Sequence, residues 1–397
     1  MLTHRERVIT ALNHEQPDRC PMQISFTPEF AQRLRADIGK SDSLGHNPHG
    51  GGNTYQLERM LEEDILLTSV GWANCYYSQP CEPGDGYTDE WGITWRAAGY
   101  QTKFGDGIYT EMVGHPLSDD SAIDSYQAPD PTRPELYEES ARLIKDYKDE
   151  YFIAGVVVTT IWETAWALRG YEKMLMDLVL NPELANRILD IPYNYHLTAA
   201  KKLVEMGVDM IWIGDDVGGQ DTMIVSPAIW REIFKPRMAD FIRELKDINP
   251  AVKVAYHSDG NIYPIIPDLI DIGLDVLNPV QPASMDPAKV KEDFGDKLCF
   301  WGSIDEQYTL PSGSPEEVRK EVELRLNTIG KNGGLIIGPT HHVQLDTSME
   351  NFWAMVDTVT QKDLSNQLRS KPAEKKSRIQ SVKPRSSVKR KQYEVKP

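Results

Sequence analysis

The chain has 397 residues, of which 40% are hydrophobic and 26% are charged. This length suits two average domains or one large α/β barrel, and the hydrophobic content excludes disorder for most of the chain. The total charge is −17, but residues 362–397 hold twelve Lys or Arg against three acidic residues, so their +9 leaves −26 on residues 1–361. An acidic body disfavours nucleic acid or an anionic membrane surface as the main partner.

The chain also lacks the usual signs of membrane insertion or export. No apolar run approaches the length of a membrane-spanning helix, and the first residues lack the apolar core of a secretory signal. The four cysteines, Cys20, Cys75, Cys81 and Cys299, are scattered without a CxxC pair. We therefore predict a cytoplasmic protein with free thiols.

Eight short apolar runs recur along the chain. They are "PMQIS" (21–25), "DILLTSV" (64–70), "FIAGVVV" (152–158), "DMIWIG" (209–214), "VKVAY" (252–256), "DVLNPV" (275–280), "LCFWGS" (298–303) and "GLIIG" (334–338). Continuous apolar runs of this length are typical of parallel strands that are covered on both faces. Amphipathic stretches such as "SPEEVRKEVELRLNTIGKNGG" separate them and carry helix-capping residues at their ends.

This alternation predicts a (β/α)8 TIM-type barrel over residues 1–361. An open doubly wound sheet is the alternative, although no GxGxxG turn follows the first apolar run. The connection "DEWGITWRAAGYQTKFGDGIYTEMVGHP" is rich in aromatic residues and glycine, which indicates a small β-meander beside the barrel mouth. Residues 362–397 are predicted to be a disordered basic tail, because they contain almost no aromatic or branched apolar residues.

The barrel predicts where functional groups lie, because the carboxyl ends of its strands share one rim. Several of the later runs are followed directly by His, Asp or Gln. These residues are Asp215, Asp216 and Gln220, then His257 and Asp259, then Gln281, Asp305, His341 and His342. Polar residues are common in loops, but histidines at the ends of two strands are less expected in a chain that has only nine histidines.

His257, Asp259 and His341 are the candidate metal ligands. Two imidazoles and one carboxylate are a common zinc set that leaves one position open for substrate. His257 and Asp259 are two residues apart, so an extended backbone points both side chains the same way. The alternative is a rim of hydrogen-bonded polar groups in which Asp259 and Gly260 simply make a turn.

Three acidic residues near the same rim are candidates for substrate contacts. Asp215 and Asp216 are adjacent, so their side chains diverge. We predict that Asp215 faces the mouth, to orient substrate or carry a proton, and that Asp216 caps the following helix. Glu163 in "TTIWETAWALRG" either lines the mouth or stabilises the first turn of a helix.

Four sequence blocks resemble a known superfamily. They are "THRERVITALNHEQPDRCP", "GDDVGGQDTMIVSPAIWREIFKPR", "YHSDGNIYPIIPDLIDIGLDVLNPVQP" and "GPTHHVQLDTSMENFWAMVD". In order and spacing they are similar to the uroporphyrinogen decarboxylase superfamily, in particular its corrinoid-linked methyltransferase branch of the methylcobalamin:coenzyme M type. The resemblance covers roughly residues 3–360 and implies a TIM-type barrel.

The resemblance implies two competing reactions. The decarboxylases carry an Arg-rich "RQAGR" loop after the first strand, where this chain has "SFTPEF", and an aspartate after the second strand, where it has "SVGWAN". Their tyrosine after the third strand falls in "TTIWETAW", which contains none, and their "DSWAG" serine matches Asp216. Only the histidine of their "GHGI" block has a counterpart, His341. A substrate with eight carboxylates needs cations, so the missing arginines disfavour its decarboxylation.

The methyltransferase branch binds zinc through a His-x-Cys pair and a later Cys, and the matching positions here are His257, Asp259 and His341. We therefore predict an enzyme that uses Zn²⁺ or another divalent metal to move a methyl group between a corrinoid protein and a small-molecule acceptor. Methylcobalamin would sit on a separate partner protein, because this chain has no Asp-x-His-x-x-Gly motif.

Asp215, His257 and His341 are the predicted catalytic residues, and Asp216, Gln220, Glu163 and Asp305 are the predicted substrate contacts. Two alternatives are decarboxylation of uroporphyrinogen or another carboxylated substrate in tetrapyrrole biosynthesis, and a non-catalytic barrel that binds a tetrapyrrole or corrinoid partner.

Overall fold

A computed structural model describes residues 2–40, 53–70 and 83–370 of the chain. Its strands are β1 Ile65–Ser69, β2 Gly86–Thr88, β3 Thr94–Thr102, β4 Gly105–Gly114, β5 Phe152–Val156, β6 Met210–Gly214, β7 Lys253–His257, β8 Val276–Asn278, β9 Cys299–Ile304 and β10 Leu335–Pro339. Seven of them form one curled parallel sheet in the order β1-β5-β6-β7-β8-β9-β10. These seven coincide with seven of the eight apolar runs, so the predicted TIM-type α/β fold is confirmed.

The first apolar run takes the eighth position without becoming a regular strand. Residues 21–26 make only isolated bridges with β10 and with the segment after it, Met22 with Ile337 and Phe26 with Val343. The amide of Gln23 donates to the Ile337 carbonyl at 3.1 Å. On the other side, the amide of Asp64 donates to the Met22 carbonyl at 2.8 Å, just before β1. The run therefore bridges the two edges of the sheet.

Alternate residues of each strand enter two different hydrophobic clusters, because side chains alternate between the faces of a strand. Leu67, Ala154, Trp212 and Trp301 belong to the cluster inside the barrel. The intervening residues, such as Ile153, join the larger cluster that packs against the helices. Both faces are buried, which explains why these strands have continuous apolar sequences.

The helices are α1 His4–Leu12, α2 Pro28–Asp37, α3 Gln56–Met60, α4 Glu138–Tyr147, α5 Trp162–Arg169, α6 Tyr171–Leu180, α7 Pro182–Met206, α8 Pro227–Ile229, α9 Lys235–Ile248, α10 Ile266–Asp271, α11 Pro287–Phe294, α12 Thr309–Ser312, α13 Pro315–Asn327, α14 Met349–Thr360 and α15 Leu364–Arg369. Val8 and Leu12 of α1 belong to the interior cluster, so α1 closes the amino end of the barrel. The opposite end is left for the site. Among the described helices, none combines the length and apolar character needed to cross a bilayer.

The predicted β-meander is present as a separate antiparallel sheet in the order β2-β3-β4. It is attached to the barrel through aromatic packing, since the Trp91 ring lies 4.7 Å from the ring of Tyr195 on α7. Trp91 and Trp95 are both 1% exposed. Their burial explains why this connection contains aromatic residues.

The boundary of the basic tail differs from the prediction. The tail was expected from residue 362, but α15 folds onto the barrel, with Leu364 and Leu368 each 4% exposed. Arg369 pairs with Asp37 of α2 at 2.9 Å. These contacts tie the residues up to 370 to the body, and the prediction for 371–397 lies outside the described residues. Of the cysteines, Cys20 and Cys299 are free thiols, while Cys75 and Cys81 lie outside the described residues.

Candidate metal centre at the carboxyl end of the barrel

The three predicted ligands converge at the rim of the barrel. His257 is the last residue of β7, Asp259 follows two residues later, and His341 follows the end of β10. One ligand atom from each residue lies within 4.8 Å of the other two. The geometric condition for one shared ion is therefore met by the described residues.

Hydrogen bonding sets the tautomer of His257. The Asn278 side-chain amide Nδ2 donates to the Trp301 carbonyl at 3.0 Å, so its Oδ1 is left to accept. His257 Nδ1 lies 2.5 Å from that oxygen and therefore carries the proton. The Nε2 lone pair is left facing the carboxylates of Asp216 and Asp259, at 3.6 and 3.8 Å. A metal-binding histidine is commonly held in this way.

Asp259 supplies an oxygen that lacks another partner. Its Oδ1 is buried and has no hydrogen bond among the described residues. Burial raises the pKa of the Asp259 carboxyl, although His257 and His341 act in the opposite direction. A buried acceptor without a donor is costly, and a cation between it and the two imidazoles would satisfy it. The donor set therefore fits a divalent ion such as Zn²⁺.

The turn that was the alternative explanation for this segment is also present. Gly260 has a positive φ of +78°, and a Cβ at this position would lie 2.5 Å from the Gly219 carbonyl oxygen. The Gly260 amide donates to Gln281 Oε1 at 2.6 Å. The turn thus depends on Gly260 and Gln281, while the Asp259 side chain remains available to a ligand.

Asp215 and Asp216 have the reverse of their expected orientations. The Asp215 carboxylate is 4% exposed and accepts the amides of Ile161 and Glu163, at 3.0 and 2.9 Å, at the start of α5. Burial raises the pKa of the Asp215 carboxyl to about 7. Asp216, with 39% of its side chain exposed, faces His257 instead. The expectation that Asp215 faces the mouth and Asp216 caps the following helix was therefore wrong, because amides at the start of α5 bind the Asp215 carboxylate. The assignment of Asp216 as a substrate contact stays a prediction.

Two glutamates lie in the same region. Glu163 lies in the first turn of α5 and accepts the amide of Asp216 at 3.3 Å. Burial, with the charges of Asp216 and Asp215, raises the pKa of the Glu163 carboxyl well above its usual range. Glu306, which the sequence analysis missed, accepts the amide of His341 at 3.3 Å, and burial likewise raises its pKa. Its signal was its place at the carboxyl end of β9, next to Asp305.

Two other predicted substrate contacts are engaged elsewhere. The Asp305 carboxylate accepts the amides of Gln307, Tyr308 and Thr309, so it organises the start of α12. Gln220 is exposed and donates to the Ala283 carbonyl at 3.1 Å. These contacts place Asp305 in a loop-stabilising position and Gln220 in a surface loop.

A cavity of about 50 Å³ opens beside the two ligand histidines. Its described lining consists of Gln23, Ser25, Val158, Trp212, His257, Asn278, Trp301, Pro339, Thr340, His341 and His342. Apart from the three histidines, these side chains are apolar or uncharged polar groups. Asn278, Trp212 and Trp301 lie within strands and were not singled out from the sequence, since apolar strand positions usually signal core packing.

Parallel strands with polar groups gathered beyond their carboxyl ends define the TIM-type barrel class, whose active sites lie at this face. A solved methyltransferase structure from Methanosarcina mazei has the same fold, with a TM-score of 0.66 and 19% identity over 91% of this chain and 99% of that one. The profile of the uroporphyrinogen decarboxylase (URO-D) family matches residues 93–362. The chain therefore belongs to this family of enzymes.

Individual relatives within the family have different reactions in their names. A methylcobamide:CoM methyltransferase MtaA of Methanosarcina barkeri is 27% identical over 175 residues, 44% of this chain and 48% of the relative. A uroporphyrinogen decarboxylase of Psychromonas ingrahamii is 22% identical over 194 residues, 48% of this chain and 52% of the relative. The matches span about half the length of these relatives, so they do not decide the reaction.

Proposed function

We propose that this enzyme is a metal-assisted methyltransferase that moves a methyl group between a corrinoid protein and a small acceptor. The observation that carries the proposal is the convergence of two imidazoles on a buried carboxylate oxygen that has no hydrogen bond. The similarity to a methyltransferase that acts on a methylcobamide supports the reaction class. The corrinoid, as methylcobalamin, would be carried by a separate protein.

In this proposal His257, Asp259 and His341 hold one divalent ion. A Zn²⁺ ion bound there would lower the pKa of a coordinated thiol or alcohol, so that the acceptor becomes a nucleophile at neutral pH. His257 stays oriented because Asn278 accepts its Nδ1 proton. His341 is exposed at the rim, on the side from which the methyl donor would approach.

Asp216 is the residue that we expect to take the acceptor's proton. It is half-exposed and lies 3.6 Å from His257 Nε2, so it borders the position of the ion. Asp215 would be a positioning residue without contact to the substrate. Its carboxylate accepts the backbone amides of Ile161 and Glu163 and so holds the start of α5 in place. The acceptor would lose one proton to Asp216 and gain the methyl group, while the cobalt–methyl bond of the donor would break and leave its electron pair on the corrinoid.

Decarboxylation of uroporphyrinogen finds less support in the cavity. No Lys or Arg occurs among its described lining residues, so these residues supply no counter-charge for a polycarboxylate. Removal of the metal and substitution of its ligands distinguish methyl transfer from decarboxylation and from non-catalytic binding. A decarboxylase would turn over without metal, and a non-catalytic barrel would still bind its corrinoid or tetrapyrrole partner after all three ligands are substituted.

Elemental analysis of the purified full chain tests the proposal. After incubation with Zn²⁺ and dialysis, the unsubstituted protein should retain about one equivalent of zinc, whereas His341→Ala should retain much less, because one of three ligands is gone. His115→Ala is the matched control, since His115 contacts the Ala167 carbonyl away from the site.

Activity gives the second readout. Loss of methyl from methylcobalamin, followed by absorbance with a thiol acceptor, should stop when a chelator removes the metal and return when Zn²⁺ is added. Retention of zinc by His341→Ala, or turnover that survives chelation, would contradict the proposal.

A further inference from the structure

We propose that the cavity beside His257 and His341 is the acceptor subsite, and that it selects an uncharged aliphatic group of about four or five heavy atoms. Its role as acceptor subsite rests on the proposed function. Its selectivity follows from its lining and its size.

The lining excludes a charged ligand body. Beyond the histidines at the opening, the polar groups of the described lining are the amides of Gln23 and Asn278 and the hydroxyls of Ser25 and Thr340. No Lys, Arg, Asp or Glu side chain of the described lining faces a ligand there. Apart from an ion held by the histidines at the opening, a carboxylate or sulfonate would find no counter-charge in the described lining for the hydration that it loses, which is unfavourable.

The volume sets an upper limit on size. A water molecule occupies about 10–15 Å³ on this scale, so the cavity holds roughly four waters. An apolar cavity that holds benzene measures about 150 Å³, three times as large. An aromatic ring therefore does not fit without rearrangement, whereas a short aliphatic chain does.

Trp212 reports on occupation of the cavity. It lines the cavity and is 7% exposed, and the ring of Trp301 packs against it at 4.4 Å, which holds the indole in place. Its indole Nε1–H is enclosed and has no hydrogen bond among the described residues. A ligand in the cavity therefore changes the indole signal through the ring of Trp212 rather than through a direct hydrogen bond.

Nuclear magnetic resonance of the ¹⁵N-tryptophan-labelled full chain tests this without requiring a metal. The chain has nine tryptophans, and the signal missing from Trp212→Phe identifies the Trp212 indole. We expect a saturable shift of this signal with propan-1-ol. Propanoate, of similar size but anionic, should bind at least about tenfold more weakly, and benzyl alcohol should give no saturable shift.

Two variants check the size limit. Trp301→Ala should admit benzyl alcohol, because it enlarges the cavity. Val158→Leu should abolish the propan-1-ol shift, because the larger side chain fills the cavity. This variant tests the size limit even if Trp301→Ala fails to fold. Equal binding of propanoate, saturable binding of benzyl alcohol to the unsubstituted protein, or no shift with propan-1-ol would overturn the inference.

Spectra with and without Zn²⁺ separate this inference from the proposed function. A selective shift in a protein that binds no zinc would retain the cavity's selectivity and remove the metal-assisted reaction. Stoichiometric zinc without the selective shift would do the reverse.

Discussion

Asp215 and Asp216 show how different two adjacent identical residues become in a fold. The buried carboxylate of Asp215 lies against the start of α5, where it accepts hydrogen bonds from backbone amides. Asp216 faces the histidine that would bind the ion. The sequence predicted correctly that the two side chains diverge, because side chains alternate along an extended backbone. Which one faced the mouth depended on where α5 begins relative to β6, and that is a tertiary contact.

Asn278 illustrates the contribution of a residue outside the proposed ligand set. Asn278 accepts from His257 Nδ1, and its own amide donates to Trp301, so one hydrogen-bond chain sets both the tautomer and the ring orientation. The sequence predicts that Asn278 lies near the end of a strand, but nothing in it indicates that Asn278 orients His257.

Substitution of Asn278 by alanine should lower zinc affinity about 10–100-fold, because His257 loses the acceptor that fixes its tautomer. Competition with a chromophoric chelator measures this. Asn186→Ala is the control, since the Asn186 side chain donates to the Pro182 carbonyl within α7, away from the site. An unchanged affinity in Asn278→Ala would show that the hydrogen bond does not support the site.

At the scale of elements, helix and strand positions followed from local pattern. The capping box of α13 is an example, because Ser314 and Glu317 satisfy each other's backbone amides as their spacing predicts. The first apolar run departs from its predicted strand, since residues 21–26 hydrogen-bond with β10 and with Asp64 only at isolated positions.

The β-meander depends on one carboxylate in its first turn. Asp89 Oδ1 accepts the amides of Trp91 and Ile93, at 2.9 and 3.0 Å, and Oδ2 accepts Trp95 Nε1 at 2.9 Å. Two of these donors belong to tryptophans that are 1% exposed. The turn and the aromatic contact with α7 are therefore linked through Asp89.

Asp89→Ala should lower the free energy of unfolding by about 2 kcal/mol, because it removes hydrogen bonds to a charged group and leaves buried donors unpaired. Denaturant unfolding followed by circular dichroism measures the change. Asp106→Ala, at an exposed position near the start of β4, is the control. A loss no larger than that of the control would rule out this role for Asp89.

At the scale of the whole molecule, the carboxyl end of the described chain belongs to the body. Leu364 and Leu368 of α15 are buried, and Arg369 pairs with Asp37 of α2. Composition alone suggested a tail from residue 362, because the two leucines are surrounded by polar residues. A short amphipathic helix needs a surface to bury its apolar side, and α15 contacts both the preceding helix α14, where Ser365 bonds to Asp357, and the distant helix α2.

Truncation provides the test. A chain that ends at Ser370 should be more stable than one that ends at Gln361 by roughly 2 kcal/mol, since burial of two leucines outweighs the ordering of one short helix. Denaturant midpoints of the two truncated chains measure the difference, with the full chain as reference. Equal midpoints would mean that α15 does not stabilise the barrel.

The sequence by itself determined the strand and helix pattern, the meander and the three residues that meet at the rim. The strands, helices and meander follow from the periodicity of apolar residues along the chain. The meeting of the three residues follows from the rule that parallel strands end at one face of the barrel. Both depend only on local sequence and chain direction. Only the tertiary structure decided the orientation of Asp215 and Asp216, the approach of Glu306 and Asn278, and the cavity between Trp212 and His341. Those contacts join different strands and helices, and the order of residues along one chain does not specify how such elements are aligned.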